Sequence, residues 1–241
     1  MKRLALCSNL ALLLGILFPG CDARQSVARS LDTSMLAGSA NALIIKNENG
    51  SIRLHANDSG RVTIHALLST RAPGLLNEIA VKARVRDGEV IISATFPQQF
   101  ADLVDACNID YDISYPRGLA VSVSGKNGFV TVAGAAGDVS ARLTNGGIAV
   151  ENALSSLELS TRRGNVNATL SPKWQGHSIS LSSSMGSVAI LLPHDFHGYL
   201  NAKTRIGFLR NDSDLPVLPA SGLVPLNAST DLGDVIIKRR G

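Results

Sequence analysis

The 241-residue chain is 45% hydrophobic but only 4% aromatic, so its core must be built from Val, Ile, Leu and Ala, and a disordered chain is excluded. Residues 21–241 carry 21 basic and 19 acidic side chains, a balance too near neutral to point to nucleic acid. The basic run at 238–240 reads as a solvated tail.

The chain opens on "MKRLALCSNLALLLGILFPGCDARQ", a short basic start followed by an apolar run to Phe18. That is a secretory signal, too short and one-sided to span a membrane permanently. Gly20 directly before Cys21 resembles a bacterial lipobox, in which the cysteine is acylated (palmitate and related chains) and becomes the mature N-terminus. Phe18 and Pro19 depart from the usual pattern, and cleavage after Ala23 is the alternative. The expected division is a signal peptide at 1–20, a polar tether at 21–39 and a β-strand-repeat domain at 40–241. Several acyl chains anchor stably, since each buried methylene contributes about 0.8 kcal/mol. Asp22 resembles the residue that keeps lipoproteins at the inner membrane in enteric bacteria, which implies that membrane, facing the periplasm, with the outer membrane as the alternative.

Beyond the tether, "NALIIKNENGSIRLHANDSGRVTIHALLS" predicts three strands and "IAVKARVRDGEVIISATF" two more. In "PQQFADLVDAC" the spacing of Phe100, Leu103, Val104 and Cys107 predicts a short helical turn. Strands resume in "NIDYDISYPRGLAVSVSG". Cys7 falls in the leader, which leaves Cys107 without an intramolecular partner, as a buried inert thiol.

A pattern Gly-x-aliphatic-x-aliphatic recurs at Gly50, Gly88, Gly128, Gly146, Gly164, Gly186 and Gly233, with a degenerate copy at Gly207. From Gly128 the steps are 18, 18, 22, 21 and 26 residues. Before and after each turn the apolar residues alternate. Val139, Ala141 and Leu143, then Ile148 and Val150, share one face, and Ser140, Arg142 and Thr144 the other.

Two architectures fit. Each Asn-Gly could close a tight hairpin, giving an antiparallel β meander or sandwich. Alternatively, each glycine turns a corner, and like strands of successive coils stack in parallel as an all-β solenoid with coils of roughly 18–22 residues. The regular spacing favours the solenoid, with Val139 beside Leu157 of the next coil.

These segments, with Tyr115-Pro116-Arg117-Gly118, Leu192-Pro193 and "SVAILLPHDFHGYLNAKTRIGFLRND", resemble the bacterial putative-adhesin, β-strand-repeat family, a domain of unknown function. The resemblance spans about 40–241. Its departures are the 97–107 insertion and Arg163 and Ile206, where the family prefers small polar residues. It implies a solenoid-like envelope protein and no established activity.

Candidate chemistry is sparse. His194, Asp195 and His197 could sit on a metal, but they follow Leu-Pro and precede Gly198, as an exposed turn does. His55, His65 and His177 are isolated. Asp110 and Asp112 flank Tyr111 on one strand face, as acids do in some carbohydrate-cleaving β-helices. The serines of "SISLSSSMGSV" alternate with Ile179 and Leu181 and face outward, without a Gly-x-Ser-x-Gly elbow. The expectation is a non-enzymatic, lipid-anchored envelope protein with no metal or cofactor. It binds or scaffolds an envelope protein or polysaccharide. The alternative is a carbohydrate-active enzyme on a β-helix.

Overall fold

The structure, a computed structural model, describes residues 26–95, 107–217 and 222–241. Among these the chain is all-β, with one single-turn helix, α1 (Pro73–Leu76). The strands form two mixed sheets, one of ten strands and one of nine.

The repeats behave uniformly in the middle of the chain. Strands β8 (Ala120–Asn127), β10 (Val139–Asn145), β12 (Leu157–Arg163) and β14 (Ile179–Met185) lie side by side in the nine-stranded sheet. Their successors β9 (Val130–Ala133), β11 (Ile148–Ala153), β13 (Val166–Leu170) and β15 (Val188–Leu192) lie side by side in the ten-stranded sheet. All of these pairings are parallel. Val139 stands between Val121 and Leu157, and Ile148 between Val130 and Val166. Leu143 and Ile148 are not cross-strand partners. Asn145-Gly146 therefore passes the chain from one sheet to the other and closes no hairpin.

The alternation explains the core. Val139, Ala141, Ile148 and Val150 are all buried, as are their neighbours Leu157, Leu159, Val166 and Ala168. Each fully buried Val, Leu or Ile contributes about 1.5–3 kcal/mol of transfer free energy.

At both ends the order in space departs from the order in sequence. Strands β2 (Ala42–Asn49) and β3 (Ile52–Asn57) lie inside the stack, against β8 and β9. At the other end β16 (Gly198–Ile206) and β17 (Leu209–Asp212) take the edges, and β18 (Val224–Leu232) and β19 (Val235–Arg239) insert behind them.

The first end is antiparallel. There β1 (Val27–Leu36) pairs with β4 (Arg61–Thr70), and β4 with β7 (Cys107–Pro116). Strands β5 (Ala80–Arg86) and β6 (Glu89–Thr95) form a hairpin closed by Asp87 and Gly88, both at positive φ. Gly88 is thus a tight turn and not a corner of the repeat. The folded body reaches into the stretch read as a tether, because residues 27–36 alternate half-buried and exposed and complete a sheet edge. Cys107 opens β7 as a free, buried thiol. The rest of the expected helical turn lies outside the described residues.

Candidate binding face

Two features follow from the stacking: a glycine edge and a flat polar face beside it. At the edge, Gly50, Gly128, Gly146, Gly164, Gly186, Gly233 and Gly207 form one column in that spatial order. All have φ between +117° and +147°. A Cβ on any of the last six would overlap the carbonyl oxygen of the glycine before it in the column. Only glycine lets the backbones approach this closely.

Three residues before each glycine comes a second column, pointing inward. Thr161, Ser183, Thr230 and Thr204 each donate a hydroxyl hydrogen to the carbonyl of the neighbouring corner glycine, at 2.8–3.0 Å. Asn47 serves the same place, donating from Nδ2 to Gly50 O and Ile109 O at 3.2 and 2.9 Å. One residue before the glycines, Asn127 Nδ2 donates to Asn49 Oδ1 at 2.6 Å and Asn145 Nδ2 to Asn127 Oδ1 at 2.8 Å. Arg163 Nη1 ends this ladder on Asn145 Oδ1 at 3.3 Å.

The outer face of the nine-stranded sheet carries the distinctive chemistry. Across seven parallel strands one row reads Lys46, Ser124, Arg142, Ser160, Ser182, Ser229, Lys203. Every member is a cation or a hydroxyl. Strands lie about 4.8 Å apart, so the row is about 29 Å long. Towards the glycine edge it is flanked by Arg162, Ser184 and Arg205, with Asp231 among them. Arg142 is shared with Glu158 at 3.3 Å, and Lys126 pairs with Glu48 at 2.7 Å. Arg162, Lys203 and Arg205 are exposed and form no ion pair among the described residues. The face is shallow and suits an extended ligand with negative groups. Its hydroxyls came from an outward alternation already evident in "SISLSSSMGSV". The row itself was hidden, because it depends on which strands neighbour one another.

The residues singled out from sequence are placed elsewhere. His194 Nδ1 meets its neighbour Asp195 at 2.9 Å, both largely exposed. Among the described residues no three His, Cys, Asp or Glu side chains form a group able to hold a metal. Asp110 is engaged structurally, accepting the Ser51 N–H at 2.7 Å and Asn108 Nδ2 at 3.0 Å. Asp112 lies 3.6 Å from His55 and faces His65 across the β4–β7 pair. His65 itself is hydrogen-bonded to Asp32 on β1, and that bond raises its pKa. His177 donates its backbone N–H to Ser156 at 2.9 Å. Tyr111 and Tyr115 are buried on β7, and burial pushes the Tyr115 hydroxyl up to about 12. Cys21 lies outside the described residues.

Residues 126–216 match a family described as a domain of unknown function, DUF7330. No curated protein matches the chain. Among solved structures, a putative cell adhesion protein from Clostridium sporogenes is similar over 89% of this chain and all of its own, with a TM-score of 0.52 at 10% identity. A putative adhesin from Bacteroides fragilis matches over 87% of this chain and 97% of its own, with a TM-score of 0.38 at 12% identity. At such identities the first likeness is one of fold.

Proposed function

We propose that this chain is a non-enzymatic binding module of the bacterial cell envelope, a β-solenoid held at a membrane by acylated Cys21 and facing the periplasm. It engages anionic groups on an extended partner through the outer face of the nine-stranded sheet. The observation that carries this reading is the seven-strand row from Lys46 to Lys203, made only of cations and hydroxyls. Charged side chains on a shallow surface attract an opposite charge at a distance and are screened by salt. The four serines of the row supply short, adaptable hydrogen bonds. The parallel pairing of successive repeats supports the solenoid, and the likeness to a putative cell adhesion protein supports a binding role.

The test is binding of polygalacturonate, a linear carboxylated glycan, against neutral dextran. Polygalacturonate should bind, progressively less as salt rises, and dextran should not. Arg162→Glu with Lys203→Glu should weaken binding tenfold or more, about 1.4 kcal/mol. Equal binding by wild type and variant, or none by either, overturns the reading.

A further inference from the structure

The glycine edge changes character along its length. In stack order, the residue before each corner glycine is Asn49, Asn127, Asn145, Arg163, Met185, Leu232 and Ile206. Hydrogen-bonded asparagines give way to one arginine and then to three exposed apolar side chains. Phe208, on the other side of the last corner, is 80% exposed, and Phe129 further along the edge is 65% exposed. Ten large apolar side chains are exposed among the described residues, and five of them adjoin a corner glycine. Such clustering on one edge marks a contact surface and is not the usual scatter of single apolar residues.

Cations border this apolar ridge. Arg162, Lys203 and Arg205 stand on the sheet face next to it, and Arg163 lies on the edge itself. Asp231 is the acid among them. Asp234 is turned to the backbone, its Oδ1 accepting the Phe208 N–H at 2.9 Å. Apolar tips with Lys and Arg beside them fit the boundary of an anionic bilayer, where rings and aliphatic chains enter the interface and cations meet phosphates.

Strand register brings the start of the folded body to the same edge. Val27 faces Thr70, Thr70 faces Cys107, and Tyr111 faces Ile52. Ile109 is therefore level with Gly50, and Val27 lies two residues beyond the corner column. The described residues thus begin at the glycine edge.

We propose that the glycine edge rests on an anionic lipid surface, with Ile206, Leu232, Met185 and Phe208 at the interface and Arg163, Lys203 and Arg205 on lipid phosphates. This rests on the anion-binding reading above and names the partner for the ridge end of that face. The stack then lies along the membrane on one long edge, and the opposite edge points away. Trp174, in the 171–178 connection between β13 and β14, marks that opposite edge. It is separated from the glycine edge by a strand of seven residues, about 23 Å.

The full chain is bound to phosphatidylcholine vesicles, with and without phosphatidylglycerol, that carry doxyl-labelled lipid. Trp174 is the chain's single tryptophan, so Phe208→Trp adds one reporter at the ridge and wild type serves as the control. The expected result is strong quenching of the introduced indole on phosphatidylglycerol vesicles, little on phosphatidylcholine alone, and none for Trp174. Adding Lys203→Glu and Arg205→Glu should abolish it. An unquenched, water-exposed indole on anionic vesicles overturns the proposal, as does an indole already shielded without lipid, which would mean that a second copy covers the ridge. Polygalacturonate binding measured on the same protein separates the two readings. If it persists while quenching fails, only the membrane docking falls; if both fail, the anion-binding face falls with it.

Discussion

Gly146 packs so closely on Gly128 that a Cβ at position 146 would overlap the Gly128 carbonyl oxygen. The two glycines are 18 residues apart in sequence and adjacent in the corner column. At φ +130°, Gly146 also holds a backbone conformation that L side chains avoid. Gly146→Ala meets both obstacles and should cost about 3 kcal/mol or more. Gly118→Ala is the control, since it has open space and no positive φ, and should shift stability by under about 0.5 kcal/mol. Urea unfolding of the two variants checks this, and similar midpoints would refute the corner column.

The hydroxyls behind the corners make a gentler prediction. Thr161 Oγ1 donates to Gly146 O at 3.0 Å from a buried position. Thr161→Val keeps the shape and removes the donor, so it should cost about 1 kcal/mol. Thr161→Ser keeps the donor and should restore most of that loss. The urea midpoint should move with little change in slope, because the exposed area on unfolding is the same.

Core direction tests the alternation itself. Ile148 is buried between Val130 and Val166, so Ile148→Asp places a carboxylate in the apolar interior. That should cost several kcal/mol. Arg142→Asp on the outer face loses an exposed pair with Glu158 and an exposed hydrogen bond to Ser160 and should cost under about 1 kcal/mol. Equal melting temperatures would refute the assignment of faces.

Much of the central fold was legible because alternation and glycine spacing are local. Val139, Leu143 and Ile148 announce their faces through period-2 patterning, and Gly146 announces its corner. The ends were not legible. Nothing local says that β2 will be enclosed between β6 and β8 and β3 between β7 and β9, or that β18 and β19 will insert behind β16 and β17. Those choices are made by long-range pairing. Gly88 misled because Gly-Glu-Val-Ile-Ile also suits the strand after a hairpin. The tether reading of 27–36 failed because "VARSLDTSML" is polar on the solvent side of an edge strand and only half-buried on the other. Ser183, read with its neighbours as outward, instead continues the inward set of Ile179 and Leu181, as Thr161 continues that of Leu157 and Leu159, and both donate to carbonyls of another repeat.

The edge strand β1 has a pH-dependent contact. His65 on β4 is hydrogen-bonded to Asp32 on β1, and Asp112 on β7 faces it from the other side. The Asp32 hydrogen bond and charge raise the His65 pKa above its ordinary 6.5, with a smaller contribution from Asp112. A raised folded pKa means that the contact stabilises fully below the unfolded value and is lost as pH rises through the folded one. Protection of β1 amides in hydrogen exchange should therefore fall as the solution passes above about pH 6.5, after correction for intrinsic exchange. His55 and Arg53 on β3 lie near the same face, with His55 3.6 Å from Asp112. His65→Gln should abolish the pH dependence, and a dependence that survives it would assign the effect to another group.

The anchor is the last expectation open to test. Acylation of Cys21 would consume its thiol as a thioether and make its amine the mature N-terminus. Cys21→Ala should then leave a precursor that is uncleaved, or cut near Ala23 by ordinary signal peptidase. The acyl chains would be missing, and with them most of the membrane affinity of a near-neutral body. Folding should be unaffected, since β1 begins at Val27 and none of its pairings involves residue 21. The measurement is acyl labelling with fractionation of wild type and Cys21→Ala. Wild type should carry label and stay with membranes, and the variant should lose the label. The glycine edge adds a distinction: variant protein that remains on anionic membranes at low salt and leaves at high salt is held by the ridge and its cations, which salt screens, and not by lipid chains. Unlabelled wild type in the soluble fraction would replace the lipobox reading with cleavage near Ala23.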